Sequence, residues 1–267
     1  MRQINIGNVS FNTAGTQNDY FWNNFERKGW EENTFRILDR YIKPGAIFID
    51  IGCWEGPFTL YAASLGAVVH AIDPDEKALT GLREHLNLNP ELKQNIRIHQ
   101  FALTNEDKTV TLYERGRFGD SASSTIDRAR DTGNSYSVQG KTFTTFLKEN
   151  NIDHADLIKM DIEGGEFSVI PAMADGLKLL GFPPLITAFH AVYLKENYMK
   201  QKRFLKNISR LNGKLSIAAG KIFANKYARD KILSTLESLN CYSSAESISG
   251  KRELVDDLMH DGTVLFK

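Results

Sequence analysis

A short stretch with one acid and two glycines, Asp50, Gly52 and Gly56, has the residue types and spacing of a ligand-binding loop. Glycines at such positions adopt positive φ angles and let a ligand approach the bare backbone. Asp73 follows Gly56 after 17 residues. An acid about 20 residues beyond a glycine loop suits the two hydroxyls of a ribose. These residues together predict a nucleoside-binding site.

The charges around this loop narrow the choice of nucleoside. A dinucleotide fingerprint, G-x-G-x-x-G, would have a glycine where this chain has Asp50, and Glu55 directly precedes Gly56. Negative charge there disfavours a pyrophosphate and favours a cationic ligand that carries an amino acid. S-adenosylmethionine meets that description and is the expected cofactor. Cys53, in the same loop, is expected to be a small inert side chain beside the ligand and not a reactive thiol.

A second set of polar side chains follows two apolar segments further along the chain. Asp161, Glu163 and Glu166 lie around a Gly-Gly turn, and His190 follows the segment 185–189. Carboxylates and imidazoles at the active edge of an α/β sheet can position or accept protons. Two roles remain open for His190. It is either the general base for an acceptor hydroxyl or, together with Asp161, a ligand of a divalent metal ion. Magnesium is the less natural choice because it prefers oxygen ligands.

A lysine interrupts the apolar segment that leads to Asp161. Burying the ammonium of Lys159 is costly unless a carboxylate lies close to it, and Asp50 and Glu163 are the candidate partners. This lysine either fixes the end of a strand through a structural ion pair or takes part in catalysis.

Apolar strands and amphipathic helices must position these residues. The pattern predicts strands at 47–49, 68–72, 96–103, 108–113, 156–161, 185–190, 241–247 and 263–266, and helices at 31–41, 59–65, 75–87, 142–150 and 230–239. Such alternation of strands and helices predicts an α/β fold with a mostly parallel sheet and helices on both faces. Residues 115–138 are polar and lack an apolar period, which predicts a long loop.

Two motifs carry a resemblance to a known family. They are Asp50-Ile51-Gly52-Cys53-Trp54-Glu55-Gly56 and the more specific Leu157-Ile158-Lys159-Met160-Asp161-Ile162-Glu163-Gly164-Gly165-Glu166. Both resemble the FkbM-type methyltransferases, within the Rossmann-like S-adenosylmethionine-dependent class, from about Trp30 to Pro171. The resemblance implies a seven-stranded sheet of order 3-2-1-4-5-7-6. The family pattern has an acid near the end of the fifth strand, where this chain has Phe189-His190.

The resemblance also implies roles for individual residues. The methionine part of the cofactor would lie against Asp50, Gly52, Cys53 and Gly56, with Glu31 near its amino-acid end, the ribose against Asp73 and Pro74, and the adenine against Phe101 and Ala102. Phe101 has an alternative role as an ordinary core residue. The acceptor side would comprise Asp161, Glu163, His190 and Lys159, with Asp161 also near the cofactor. The serine-rich piece 121–125 would lie on that side too, unless it is a mobile linker.

Methyl transfer to a hydroxyl of a sugar or another small-molecule natural product is the activity that the resemblance implies. One alternative is an RNA- or nucleotide-directed methyltransferase, since residues 195–231 contain 11 basic and two acidic side chains. The spacing of Phe204, Leu205, Ile208 and Leu211 predicts a helix there whose wet face carries the basic residues. Nucleic acid is not expected, because the whole chain has zero net charge. The other alternative is a nucleoside-binding module without turnover.

Length and composition set the outer bounds. With 267 residues, 42% of them hydrophobic and 25% charged, the chain can form one large α/β domain. We expect an N-terminal arm at 1–30 and a methyltransferase domain at 31–267. Cys53 and Cys241 are the two cysteines, far apart in sequence, which favours a reducing cytoplasm over a disulfide framework. The sequence has no apolar segment of signal-peptide or membrane-spanning length, so a cytoplasmic protein without membrane association is expected.

Overall fold

The computed structural model describes residues 1–14, 19–26, 31–116, 119, 121–128, 132–201, 213–248 and 254–267. Its strands are β1 Arg2–Ile6, β2 Val9–Thr13, β3 Ile47–Ile51, β4 Val68–Asp73, β5 Ile96–Gln100, β6 Ala102–Leu103, β7 Lys108–Tyr113, β8 Ser135–Lys141, β9 Leu157–Met160, β10 Leu185–Ala188, β11 Ala245–Ser247 and β12 Thr263–Phe266. Its α-helices are α1 Asp19–Glu26, α2 Glu32–Tyr41, α3 Pro57–Ser64, α4 Glu76–Asn87, α5 Pro90–Lys93, α6 Phe143–Glu149, α7 Glu166–Val169, α8 Ala174–Leu179, α9 Ala191–Gln201, α10 Gly213–Ser238 and α11 Leu254–Leu258. A 3₁₀ turn, Ile170–Met173, joins α7 to α8.

The central sheet has seven strands in the order β11-β12-β10-β9-β3-β4-β5. Counted along the chain within this sheet alone and taken from the other edge, the order is 3-2-1-4-5-7-6, as predicted. Strand β12 is antiparallel to β10 and to β11. The pairs that join β10, β9, β3, β4 and β5 are parallel. The predicted Rossmann-like methyltransferase fold class is therefore confirmed.

Helices cover both faces of this sheet, because successive side chains of each strand point to opposite sides. Phe48 of β3 belongs to a hydrophobic cluster with side chains of α2, α3 and α4. Its neighbour Ile49 belongs to a second cluster with side chains of α6, α8, α10 and α11. Burying one such side chain contributes roughly 1.5–3 kcal/mol. The two clusters together hold the strand ends in fixed positions.

Strand β5 ends earlier than the sequence pattern predicts. The alternation across residues 96–103 predicts one strand, but β5 stops at Gln100 and β6 pairs with β8 in a separate sheet of order β6-β8-β7. Phe101 lies at this break and packs in the second hydrophobic cluster. Strand β8 also begins at Ser135, so the predicted loop is shorter than 115–138.

The N-terminal segment packs onto α2, α3 and the glycine loop through aromatic rings. Trp22 and Phe25 are fully buried, and the ring centroid of Phe25 lies 4.9 Å from that of Phe35 on α2. Phe21 contacts Trp54 edge to face at 4.7 Å, which connects the segment to the glycine loop. The rings thus fix the arm by packing, while its boundary at residue 30 stays a prediction.

The C-terminal helices differ from the predicted ones in length. Helix α10 extends over Gly213–Ser238, whereas the sequence pattern predicts a helix at 230–239. The helix predicted from Phe204 to Leu211 and the residue Trp30 lie outside the described ranges. Among the helices of the described ranges, none combines the length and the apolar character that crossing a bilayer requires.

Candidate active site

Three strands of the central sheet end in acids that line two adjacent cavities. Asp50 belongs to β3, Asp73 ends β4, and Asp161 directly follows β9. A first cavity encloses about 520 Å³ out to its open mouth and has Asp73 and Asp161 in its wall. A second cavity encloses about 440 Å³ on the same measure and has Asp50 and Asp161 in its wall. The three carboxylates therefore lie around one rim, as the strand order predicts.

The glycine loop after β3 brings the backbone close to this rim. Gly52 has φ +77° and Gly56 has φ +81°, a region that favours glycine. The backbone N–H groups of Gly52 and Cys53 both donate to the carbonyl of Ile72 on β4, at 2.8 and 3.0 Å. Gly56 directly precedes α3. Gly52 and Cys53 line the second cavity, where bare backbone faces the space that a ligand would occupy.

Asp73 is held by backbone donors at the floor of the first cavity. Its Oδ2 accepts from the N–H of Trp54 at 2.9 Å and its Oδ1 from the N–H of Asp75 at 2.8 Å. Burial raises the pKa of Asp73 to about 7. Each carboxylate oxygen still has a free acceptor position, so the pair can receive hydroxyl protons from a ligand.

The apolar wall of the first cavity differs in part from the prediction. Pro74 and Ala102, which are predicted to contact the cofactor, line this cavity together with Leu103 and Leu112. The prediction that Phe101 lines it is wrong, because the strand break turns this ring into the core, where its centroid lies 5.6 Å from that of Phe146. Its alternative role as a core residue is the one observed.

A loop segment closes over the first cavity and is fixed by Asp75. Asp75 Oδ2 accepts from the N–H of Gly119 at 2.8 Å and from the hydroxyl of Ser123 at 3.1 Å. Trp54 Nε1 donates to the carbonyl of Gly119 at 2.9 Å. Ser121, Ser123, Ser124 and Thr125 of the serine-rich piece all line the first cavity. The serine-rich piece 121–125 therefore forms part of the wall of the first cavity.

The second cavity contains an acid with an unused acceptor. Asp50 is 1% exposed, and its Oδ2 accepts from the hydroxyl of Thr59 at 2.7 Å. Its buried Oδ1 has no hydrogen-bond partner among the described residues. Burial raises the pKa of Asp50, and the charge of Lys159 opposes that rise. A cationic donor in this cavity would supply the missing partner.

Lys159 is the cation of this cavity and pairs with several acids. It lies opposite Asp50 in the β3–β9 register, and its Nζ lies 3.5 Å from Asp161 Oδ2. Although burial by itself lowers the pKa of Lys159, the charges of Asp161, Asp50 and Glu31 raise it above the usual value. Of the two predicted partners, Asp50 is among these acids, whereas Glu163 faces Arg128 and His190 instead.

Glu31 lies next to this group at the start of α2. It has φ +52°, and its carboxylate accepts from the hydroxyl of Thr34 at 2.9 Å. Burial raises the pKa of Glu31, while the charge of Lys159 lowers it. Glu31 thus lies near Lys159 and Asp161. Its contact with the amino-acid end of a cofactor stays a prediction.

His190 stands between three carboxylates beyond the end of β10. Its Nε2 lies 3.7 Å from Asp161 Oδ1 and 4.0 Å from Glu163 Oε1, and its Nδ1 lies 3.2 Å from Glu166 Oε1. Although burial by itself lowers the pKa of His190, the charges of Glu166, Asp161 and Glu163 raise it to about 10. The free ring therefore carries a proton at neutral pH and is not a general base in that state.

Glu166, an acid that the sequence places at the Gly-Gly turn without a specific role, is a positioning residue. It is fully buried at the start of α7, and its Oε1 accepts from the N–H groups of Ile162 and Gly164 at 3.1 and 3.2 Å. The same oxygen faces His190 Nδ1, so the turn geometry and the imidazole orientation depend on one side chain. The acid directly after the Gly-Gly turn was the available signal.

Glu163 lies at the boundary of the two cavities. It has φ +56° and lines both cavities. Burial raises its pKa to about 7, and the charge of His190 opposes the rise. The buried guanidinium of Arg128 lies 3.9 Å from its Oε2 and stacks on the ring of Tyr193. Arg128 and Tyr193 were missed because neither belongs to a motif.

Comparisons with known proteins identify one family model and several curated relatives that match part of the chain. The model of the methyltransferase FkbM domain family matches residues 50–193. The ribosomal protein L11 methyltransferase of Acetivibrio thermocellus is 38% identical over 73 residues, which is 27% of this chain and 23% of that protein. The protein of the same name from Ruminiclostridium cellulolyticum is 46% identical over 57 residues, 21% of this chain and 18% of that protein. The chain thus spans about a quarter or less of these curated relatives.

A solved structure also resembles the chain. The methyltransferase FkbM from Methylobacillus flagellatus KT is 14% identical, with a TM-score of 0.46, and the match covers 84% of this chain and 44% of that one.

Proposed function

Because the chain belongs to the FkbM methyltransferase family, we propose that it transfers a methyl group from S-adenosylmethionine to a hydroxyl of a sugar or another small molecule. The observation that carries this proposal is the shared rim, where Asp50, Asp73 and Asp161 surround two adjacent cavities. A nucleoside with a cationic amino-acid tail needs acids at both of its ends, and this rim offers them.

The residues fit the cofactor at two places. The first cavity suits the nucleoside, with Asp73 for the ribose hydroxyls and Ala102, Leu103 and Leu112 as apolar contacts for the base. The second cavity suits the methionine part, and the partnerless Asp50 Oδ1 would accept from its ammonium. Lys159 would pair with its carboxylate beside the bare backbone of Gly52, whereas the missing side chain of Gly56 makes room for Leu82 and not for the ligand.

When bound, the cofactor supplies a methyl carbon on a sulfonium, whose displacement releases a neutral thioether. The acceptor oxygen forms a bond to this carbon as the carbon–sulfur bond breaks, and the hydroxyl proton passes to a base. The protein therefore has to align the acceptor and take one proton. Asp161 and Glu163 line both cavities, so they stand where the acceptor would meet the methyl group.

We assign the proton acceptor to Glu163. Its pKa of about 7 suits a general base at neutral pH, because it is half ionised there and still basic enough to hold the proton. His190, with a pKa of about 10, is charged at neutral pH in the metal-free site, where its Nε2 lies 3.7 Å from Asp161 Oδ1. This choice differs from the sequence prediction, which left the base role open for His190.

The basic segment gives limited support to a nucleic-acid acceptor. Of its described side chains, Lys195 donates to the carbonyl of Met259 at 2.6 Å, and Lys200 pairs with Asp127. Lys226 and Arg229 pair with nearby acids at 2.7 and 3.5 Å. Because these cations already have local partners, they offer less charge to a phosphate backbone. The match to ribosomal protein L11 methyltransferases covers 27% of this chain or less and does not identify its methyl acceptor.

Calorimetry with S-adenosylmethionine and S-adenosylhomocysteine, followed by a mass-spectrometric screen of hydroxylated acceptors, tests the proposal. We expect both compounds to bind. We also expect one acceptor class to gain about 14 Da, the mass of the CH₂ that each O-methylation adds. If neither compound binds at millimolar concentration, the proposed methyltransferase activity is refuted. Binding without any methylated product across sugars, polyketide-like alcohols and RNA would favour a non-catalytic nucleoside module. Methylation of RNA with steep salt dependence would favour the nucleic-acid alternative.

A further inference from the structure

Asp161, Glu163 and His190 each direct one ligand atom to a common point beside the two cavities. These three atoms all lie within 4.8 Å of one another. We propose that they bind a divalent first-row transition-metal ion such as Mn²⁺. The ion would hold the acceptor oxygen, a role that rests on the proposed function, whereas binding of the ion itself does not.

Each of the two carboxylates has one oxygen towards a fixed cation and the other towards His190. Asp161 Oδ2 lies 3.5 Å from Lys159 Nζ, and Glu163 Oε2 lies 3.9 Å from Arg128 Nη1. The other oxygens, Asp161 Oδ1 and Glu163 Oε1, face His190 Nε2 at 3.7 and 4.0 Å. Lys159 and Arg128 thus each lie beside one oxygen of a carboxylate. The other oxygen of each carboxylate lies on the side of His190 Nε2.

Asp161 Oδ1 adds an independent observation. It is a buried atom without a hydrogen-bond partner among the described residues. A buried carboxylate oxygen without a hydrogen bond is costly, and His190 Nε2, at 3.7 Å, is too far away to supply one. A cation between this oxygen and His190 Nε2 would satisfy the oxygen.

Glu166 orients the histidine as metal sites require. Its Oε1 lies 3.2 Å from His190 Nδ1 and is itself fixed by two backbone N–H groups. With Nδ1–H donating to this carboxylate, a metal ion would displace the proton of Nε2 and bind the lone pair so released, on the side that faces Asp161 and Glu163. Metal-bound histidines almost always have such a carboxylate, carbonyl or water on the second nitrogen, which fixes the tautomer and raises the basicity of the ligand.

The donor set selects the kind of ion. One imidazole and two carboxylates form a mixed nitrogen and oxygen set, which suits Mn²⁺, Fe²⁺, Co²⁺ or Zn²⁺ better than Mg²⁺. Three protein ligands leave further positions open. Because Asp161 and Glu163 line both cavities, an acceptor oxygen in those cavities can occupy an open position. A bound cation would lower the pKa of that hydroxyl, so that its proton passes to solvent and not to Glu163, which would then be a ligand of the ion.

Titration with MnCl₂, followed by the electron paramagnetic resonance signal of free Mn²⁺, tests the inference on the full chain. We expect one ion per wild-type chain and at least tenfold weaker binding in His190→Ala and in Asp161→Asn. Surface His154 also lies beside an acid, Asp156, at 3.1 Å, so His154→Ala is the matched control and should leave Mn²⁺ binding unchanged. Glu163→Gln gives a third measurement if either variant fails to fold by circular dichroism.

Wild-type binding that is absent, or that survives in all folded variants of the three residues, would overturn the metal site. Calorimetry with S-adenosylmethionine in EDTA separates the two proposals. Cofactor binding without Mn²⁺ binding refutes the metal site alone, whereas Mn²⁺ binding without cofactor binding refutes the proposed methyltransferase.

Discussion

Gly52 lies against the backbone of Asp161, so closely that a Cβ on Gly52 would be 1.8 Å from the Asp161 carbonyl oxygen. The N–H of Asp161 also donates to the carbonyl of Ile51 at 2.9 Å. This contact joins the loop after β3 to the end of β9. The glycine loop and the end of β9 are therefore in direct contact, so that a shift of the loop moves Asp161 as well.

Gly52→Ala should damage both folding and ligand binding. The added methyl group cannot coexist with the Asp161 carbonyl, and alanine at φ +77° is strained as well. We expect a loss of roughly 2–4 kcal/mol in the free energy of unfolding, which a urea titration measures, and no detectable binding of S-adenosylmethionine. Gly45→Ala is the matched control, because Gly45 has φ +86° but no atom within 4 Å of its added Cβ. Equal losses in both variants would contradict the steric argument.

Asp73→Asn should weaken cofactor binding more at high pH than at low pH. The carboxylate of Asp73, with a pKa of about 7, accepts hydroxyl protons better once it is ionised. We therefore expect wild-type affinity for S-adenosylmethionine to rise as the pH increases through 7. The asparagine variant should bind about tenfold to a hundredfold more weakly at pH 8, since a hydrogen bond to a charged group contributes about 1.5–3 kcal/mol. Calorimetry from pH 6 to pH 8.5 measures both, and unchanged affinity in the variant would remove Asp73 from the ribose site.

The same substitution should change the pH dependence of stability. The folded protein keeps the Asp73 proton up to about pH 7, whereas the unfolded chain releases it near pH 4, about the ordinary value for an aspartate. The contribution of this group is therefore complete below pH 4 and is lost as the pH rises to 7. We expect the free energy of unfolding of the wild type to fall in this window relative to that of Asp73→Asn. A constant difference between the two proteins would show that Asp73 has an ordinary pKa.

Strand order and apolar periodicity predict the rim, because they fix which strands are neighbours and where each ends. Asp50, Asp73 and Asp161 follow from these patterns alone. Phe101 does not, since a local alternation of apolar residues contains no sign that β5 stops at Gln100 and that the next strand joins another sheet.

Glu166 and Asp75 show a different limit. Their roles come from hydrogen bonds to His190 and Ser123, which are 24 and 48 residues away in sequence. Such pairings depend on how the chain returns to the rim, and one sequence does not specify that path. The basic partner of Glu163, Arg128, is unpredictable for the same reason, because it comes from a polar loop without periodicity.

Lys159→Met should be strongly destabilising. The ammonium is shared by Asp161, Asp50 and Glu31, so its removal leaves buried carboxylates without their cation. Losing one partner of a buried ion pair costs roughly 3–5 kcal/mol. The unpaired acids gain protons more readily in the folded state, and the loss in the free energy of unfolding should therefore grow as the pH rises. Urea titrations at pH 5 and pH 8 measure this growth.

Two further variants control this experiment. Lys178→Met removes an exposed lysine on α8 and should change the free energy of unfolding by less than about 0.5 kcal/mol. Adding Asp50→Asn to Lys159→Met removes one of the unpaired charges and should restore part of the stability. A double variant that is less stable than Lys159→Met would contradict the shared-cation arrangement.

Asp75→Asn should loosen the loop over the first cavity without unfolding α4. Asp75 Oδ1 accepts from the N–H of Lys77 at 2.9 Å and caps α4, whereas Oδ2 accepts from Gly119 and Ser123. An asparagine retains an oxygen for the cap, but its amide nitrogen cannot accept from the N–H of Gly119. We expect S-adenosylmethionine affinity to fall about tenfold, in line with the loss of about 1–2 kcal/mol of hydrogen bonding, and the thermal midpoint to change little.

Asp75→Ala provides the comparison, because it removes the cap as well as the loop contacts. Loss of a helix cap costs about 0.5–2 kcal/mol, so this variant should lose stability in addition to cofactor affinity. Hydrogen exchange of residues 121–128 distinguishes the two effects, and both variants should exchange faster there than the wild type while only Asp75→Ala exchanges faster at the start of α4. Wild-type affinity and wild-type exchange in Asp75→Asn would mean that the loop keeps its position through Trp54 Nε1, which donates to the carbonyl of Gly119, and that Asp75 serves α4 alone.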